Sequence, residues 1–313
     1  MTAGARVLGA SGIAVSPIAL GSWRTFEHMP REEAERLLAY ALQQGIDFLD
    51  DARYDDETGS APLASGYSEV LFGELFRAVG ADPQTVSVSN KLWWEFWPQQ
   101  TAVAELEESL QRMGLERLAL LYSSTLPDDL PVAVAVEQIA EVLATRRVDA
   151  WGVVNWSADA LAAAGREART LGLAQPCAVQ LPYSLVRTDW VEDPATERAL
   201  ADTGASLIPS AVLAGGALSG KYAEGANGRL SGELGDPRRA RALQLGAALR
   251  YPAQQLGVSP ATLAIAFTLR HPRTAATLIG ATRPEQIDEA LAALELAGRL
   301  TDDNLARLRD LAS

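Results

Sequence analysis

Three side chains of this 313-residue sequence have the types needed for proton chemistry: Asp50, Tyr54 and Lys91. A phenol, with an ordinary pKa of about 10, passes its proton to a carbonyl oxygen efficiently only when something lowers that value. A lysine cation beside the ring does this, and a carboxylate paired with the lysine keeps it charged and fixed. Asp50 and Lys91 stand at the ends of two short apolar runs, residues 46–50 and 86–90, and Tyr54 follows the first. The plainer account of the same residues is a salt bridge between Asp50 and Lys91 with Tyr54 as a loop aromatic.

Other chemistries are poorly supplied. There are two histidines, His28 and His271, and one cysteine, Cys177, which argues against a zinc-type centre and against an intrachain disulfide framework. Six carboxylates fall within residues 47–57, but their spacing lacks the alternating rhythm of a calcium loop, and Asp55, Asp56 and Glu57 read as a solvated loop. Lys and Arg number 27 against 40 Asp and Glu, a net charge of −13, with no basic patch to attract nucleic acid. No apolar run reaches the roughly 18 residues of a membrane span, and the first residues make a poor signal peptide. The expectation is a cytoplasmic chain that is a monomer, without nucleic-acid or membrane partners and without a metal.

The elements that must position these groups alternate. Strands are expected at residues 18–21, 46–50, 86–90, 118–123, 150–154, 178–180, 206–209 and 276–279. Helical patterns are expected at 31–44, 68–79, 100–113, 132–144, 158–171, 194–202, around 239–256, and at 284–297. Eight such repeats predict one (β/α)8 barrel over residues 1–313, because strands separated by helices pair in parallel. A hairpin at 6–15 is expected on the barrel floor, a mobile lid at 215–237, and a last helix over 301–311 with Thr301 as its N-cap. Chemistry in such a barrel sits at the carboxyl ends of the strands.

At this point the sequence resembles the aldo-keto reductase family. The resemblance is carried by Arg6-Val7-Leu8-Gly9, by Gly45-Ile46-Asp47-Phe48-Leu49-Asp50-Asp51-Ala52, by Ser68-Glu69 with Phe72-Gly73, and by Lys91. Trp151-Gly152-Val153-Val154-Asn155-Trp156-Ser157, Ser219-Gly220-Lys221-Tyr222 and Gly280-Ala281-Thr282-Arg283-Pro284-Glu285-Gln286 continue it in order. It implies NADP(H) across the barrel mouth and reduction of an aldehyde, ketone or keto-sugar by hydride transfer, with Tyr54 as proton donor. Asn155 and Gln180 would hold the carboxamide, and Tyr183 or the end of the seventh strand would pack on the nicotinamide. Arg283, with Gln286, would grip the adenosine 2′-phosphate. The remaining cofactor positions are Gly21, Trp23, Ser210, Leu213, Gly215, Lys221, Gly280 and Thr282.

Two positions depart from the family pattern. Tyr54 lies four residues after Asp50, where the family places its tyrosine five after. The family's Tyr-x-x-His-x-Pro after the fourth strand reads Tyr122-Ser123-Ser124-Thr125-Leu126-Pro127 here, which puts Thr125 in the histidine position. A hydroxyl can orient a carbonyl but cannot carry charge. Trp23, Trp93, Trp97 and Trp156 are expected to line an apolar or sugar-stacking pocket for a small carbonyl substrate. The second reading is a regulatory or subunit protein that binds NADP(H) with little or no turnover.

Overall fold

The computed structural model describes residues 4–225, 228, 230–232 and 235–312. Residues 1–3, 313 and part of the expected lid at 215–237 lie outside the described residues.

Eight parallel strands form a barrel: β3 (Ile18–Gly21), β4 (Phe48–Asp50), β5 (Ser87–Leu92), β6 (Leu118–Ser123), β7 (Val148–Val154), β8 (Ala178–Pro182), β9 (Ser206–Ser210) and β10 (Thr277–Ile279). They are hydrogen-bonded in the order β10-β3-β4-β5-β6-β7-β8-β9. A parallel bridge between Leu207 and Thr274 joins the two edges. The preceding hairpin, β1 (Arg6–Val7) with β2 (Ala14–Val15), pairs Arg6 with Val15. Leu8 and Val15 are fully buried against Phe48, Leu120 and Ile208 inside the barrel, so the hairpin closes its floor as the sequence led one to expect.

Helices α1 (Arg31–Gln43), α2 (Tyr67–Ala78), α3 (Ala102–Met113), α4 (Val132–Ala144), α5 (Ala158–Thr170) and α6 (Pro194–Thr203) cover the strands in turn. Their ends follow local chemistry. The side chains of Thr101, Ser157 and Asp193 accept from free N–H groups at the starts of α3, α5 and α6. Helices α2 and α3 touch at Gly73, where an added Cβ would lie 1.8 Å from the Met113 carbonyl oxygen. Only a residue without a side chain permits that approach.

Between β9 and β10 the chain forms α7 (Pro237–Ala248), α8 (Arg250–Gln255) and α9 (Pro260–Leu269). The sequence signalled only the first two, as one region. Every residue of α9 from Ala261 to Leu269 is buried, so it has no polar stripe and no amphipathic period to read. Helix α10 (Pro284–Arg299) follows the last strand and α11 (Asp302–Ala312) ends the described chain, with Thr301 Oγ1 accepting from Asn304 N at 3.2 Å.

No described helix is long and apolar enough to cross a membrane. The six carboxylates of 47–57 diverge: Asp47 accepts from Ser16 N, Asp56 from Thr58 N and Ala61 N, and Glu57 pairs with Arg24.

Candidate active site

Asp50 is the last residue of β4 and pairs in register with Ser89 on β5. Lys91 stands two residues beyond Ser89, and the two-residue period of a strand returns it to the same face. Lys91 Nζ donates to Asp50 Oδ2 at 2.7 Å, to the Asp51 backbone carbonyl at 3.1 Å and to Tyr54 Oη at 3.3 Å. Both partners of the ion pair are almost fully buried. Asp50 Oδ1 also accepts from Ser89 Oγ at 2.7 Å, and Gln180 Nε2 lies 3.4 Å from Asp50 Oδ2.

The shortened spacing does not displace Tyr54. Its backbone N donates to Ser68 Oγ at 3.1 Å, Ser68 Oγ donates to the Ala52 carbonyl at 2.6 Å, and Gly66 N donates to the Tyr54 carbonyl at 2.9 Å. Three hydrogen bonds from the start of α2 thus set where the ring goes. Trp23 and Trp93 flank it, with ring centroids 6.2 and 6.0 Å away.

The electrostatics qualify the sequence argument. Burial is the largest single effect and works to lower Lys91, but the charges and hydrogen bonds of Asp50 and Tyr54 together outweigh it and hold the ammonium above its ordinary range. Burial pushes Tyr54 up, and Lys91 offsets this only in part, so the phenol titrates above its ordinary value rather than below it. The expected lowering is therefore absent in this state, and Tyr54 keeps its proton at neutral pH.

The other expected positions divide. Trp23 is 47% exposed and Trp93 partly so, both at the mouth beside Tyr54. Trp156 is buried with Nε1 donating to the Ser124 carbonyl at 2.6 Å, so it supports the strand ends instead of lining a pocket. Trp97 packs edge-on to the buried Trp94, ring centroids 6.2 Å apart. Tyr183 is also corrected: it is 1% exposed, stacked on Phe267 and against His271, with Oη donating to Glu192 at 2.6 Å. A ring enclosed in this way presents no face to a nicotinamide. Thr125 is exposed, and its hydroxyl donates to the Asn155 carbonyl at 3.2 Å.

Around the rim, Asn155 is exposed with φ 60°, a left-handed backbone that turns the chain sharply after β7. Gly21 ends β3 against Leu278, and Ser210 ends β9. Leu213, Gly215 and Lys221 follow in short helical turns, Gly215 with φ 71°. Gly280, Thr282 and Arg283 are exposed just before α10. Gln286 Oε1 accepts from Thr282 N at 2.7 Å and from Arg283 N at 3.2 Å, so Gln286 shapes the helix entry while Arg283 extends from it.

Sequence reasoning missed the residues that hold the catalytic candidates in place. Glu105, on α3, is buried and accepts from Trp93 N at 2.6 Å and Trp94 N at 3.3 Å, which fixes the bend at Trp94 with φ 62°. Asp51 is fully buried, bonded through Oδ1 to the Ser22 hydroxyl. A carboxylate on an amphipathic helix or in an acidic run looks solvated until its neighbours are known, and no local signal separates these two.

The sequence model of the Aldo/keto reductase family matches residues 17–313. A protein of Schizosaccharomyces pombe named for a voltage-gated potassium channel beta subunit is 28% identical, over 98% of this chain and 92% of its own. Similarly named proteins of Oryza sativa subsp. japonica and Arabidopsis thaliana are 30% and 28% identical, over 95% and 94% of this chain and 92% of theirs. With its eight-stranded barrel and near full-length match, the chain belongs to the Aldo/keto reductase family.

Proposed function

We propose that the protein is an NADP(H)-dependent reductase of an aldehyde, ketone or keto-sugar carbonyl, with Tyr54 as the proton donor. The single observation that carries this reading is the buried chain Asp50–Lys91–Tyr54, which ends on a mostly buried phenol beside the exposed Trp23 at the barrel mouth.

The donor set fits the cofactor. Asn155 offers an exposed amide, Arg283 and Thr282 stand at the start of a 16-residue helix, and Lys221 adds a cation near Gly216. A helix start favours anions, and a guanidinium forks onto a phosphate. In a chain of net charge −13, such placement favours a phosphorylated ligand. Asn155, Ser210, Lys221, Thr282 and Arg283 would hold the cofactor, with Gly21 and Gly280 giving close backbone approach. When bound, NADPH supplies the hydride.

The chain's own part is the proton. Tyr54 Oη, protonated at neutral pH, donates to the carbonyl oxygen as negative charge builds there. Lys91, 3.3 Å away, stabilises the phenolate left behind, and Asp50 keeps Lys91 in place. Trp23 and Trp93 present the apolar walls that receive the substrate. Thr125, turned to the Asn155 carbonyl, is a weak orienter at most.

A second reading, an NADP(H)-binding subunit with little turnover, is favoured by that same Thr125 geometry and by what the three relatives' names describe. NADPH binding read by tryptophan quenching, followed by its oxidation across a carbonyl panel, separates the two. The reductase reading expects turnover that falls by about 10²–10⁴ in Tyr54→Phe, with quenching retained. Binding without oxidation of any carbonyl sinks it.

A further inference from the structure

Behind the proton chain lies a buried group the proposed reaction does not use. Asp51 has no exposed surface. Its Oδ1 accepts from the Ser22 hydroxyl, and its Oδ2 has no hydrogen-bond partner. Ser22 N donates to the Asp50 carbonyl at 3.0 Å, so the Asp51–Ser22 contact helps anchor the segment that carries Trp23 to Tyr54.

The charges around Asp51 are already matched. Asp50 precedes it on the same segment, Lys91 faces it from β5, Glu69 from α2, and Tyr54 from the following loop. An ammonium has three donors. Those of Lys91 reach Asp50, the Asp51 backbone carbonyl and Tyr54, which leaves none for the Asp51 carboxyl. Glu69, also fully buried, is paired with Arg112 on α3 and accepts from Asn90 Nδ2 at 2.8 Å. Two cations therefore serve two carboxylates, and Asp51 is the third. An ionised carboxylate held by one hydroxyl and one backbone N–H, with its other oxygen unpartnered and no cation of its own, is strongly disfavoured; a neutral acid is not.

We propose that Asp51 works as a neutral carboxylic acid, a positioning residue that fixes Ser22 and leaves Lys91 committed to Asp50 and Tyr54, and that its ionisation disables proton donation. Burial, the nearby Glu69 charge and the weak compensation from Ser22, Ala52 N and Lys91 push Asp51 up to about 8. A negative charge at Asp51 raises Tyr54 further, which makes the phenol a poorer acid. The activity half of this proposal rests on the reductase reading above.

The test compares the full-length wild type with Asp51→Asn, an isosteric neutral variant, and with Asp51→Ser as a second one. Infrared spectra at about pH 6 and about pH 10 read the carbonyl stretch of a protonated carboxylic acid directly. The band should be present in the wild type at the lower pH, vanish at the higher, and be missing from both variants. In parallel, wild-type kcat/KM with NADPH should fall about tenfold between about pH 7 and about pH 9 beyond any fall in the variants, as one group near pH 8 ionises. A wild type without the band at the lower pH overturns the proposal, and so does an equal alkaline fall in wild type and variants. The band needs no turnover: its presence in a wild type that reduces no carbonyl refutes the reductase reading and leaves the neutral acid standing.

Discussion

Replacing Lys91 by Met tests the energetic core of the site. The methionine keeps most of the apolar stem and removes the ammonium that bonds Asp50, the Asp51 carbonyl and Tyr54. Both members of the ion pair are 4% exposed, so solvent screening does little to soften the loss. Removing one partner of a buried pair costs about 3–5 kcal/mol, because the other charge stays behind uncompensated. Asp50 retains the Ser89 hydroxyl at 2.7 Å and the longer Gln180 contact, which points to the lower end, about 3 kcal/mol. Removing both charges, in Asp50→Asn with Lys91→Met, should recover about 2 kcal/mol of that loss, since no charge is then stranded. Urea unfolding followed by tryptophan fluorescence measures Lys91→Met, Asp50→Asn and the double variant. The pH window follows from Lys91, whose folded value is raised above its ordinary one: the pair's contribution is full below about pH 10 and lost only as pH climbs past the folded value. A Lys91→Met penalty under about 1 kcal/mol at neutral pH, or a double variant whose loss is the sum of the singles, would refute the reasoning.

Two further outcomes follow from the rim and its supports. Arg283→Ala should weaken NADPH binding by about 10- to 100-fold, the worth of a charged hydrogen-bonded contact, while NADH binding changes far less; equal losses for both would remove Arg283 from the 2′-phosphate. Trp156→Phe should destabilise the fold by about 1–3 kcal/mol, because the Ser124 carbonyl loses its 2.6 Å donor, and an undiminished urea midpoint would contradict that role.

The barrel itself was legible because it is a matter of period. Short β-branched runs and amphipathic helices alternate, and Ile18–Gly21, Leu118–Ser123 and Val132–Ala144 occur where the sequence placed them. Helix α9 was not legible, since burial on every side erases the stripe that marks a surface helix. Asp50, Tyr54 and Lys91 could be named as a set, and their four-residue spacing left open whether the ring reaches the lysine. Ser68, on the next helix, settles that by holding the Tyr54 backbone.

What the sequence determined alone is therefore what depends on local order: strand and helix alternation, the residue types at strand ends, the sparse histidine and cysteine, and the net charge. What tertiary structure decided is what depends on neighbours distant in the chain. Trp156 and Tyr183 became core residues because Ser124, Glu192 and Phe267 surround them, and Thr125 lost its freedom to the Asn155 carbonyl. Asp50 and Asp51 are adjacent in sequence and identical in type. One faces an ammonium and the other only a hydroxyl and a backbone N–H. The difference between a paired carboxylate and an orphaned one is set by the surrounding dielectric and by which donors arrive from β5, β3 and α2, quantities that exist only once the barrel has closed.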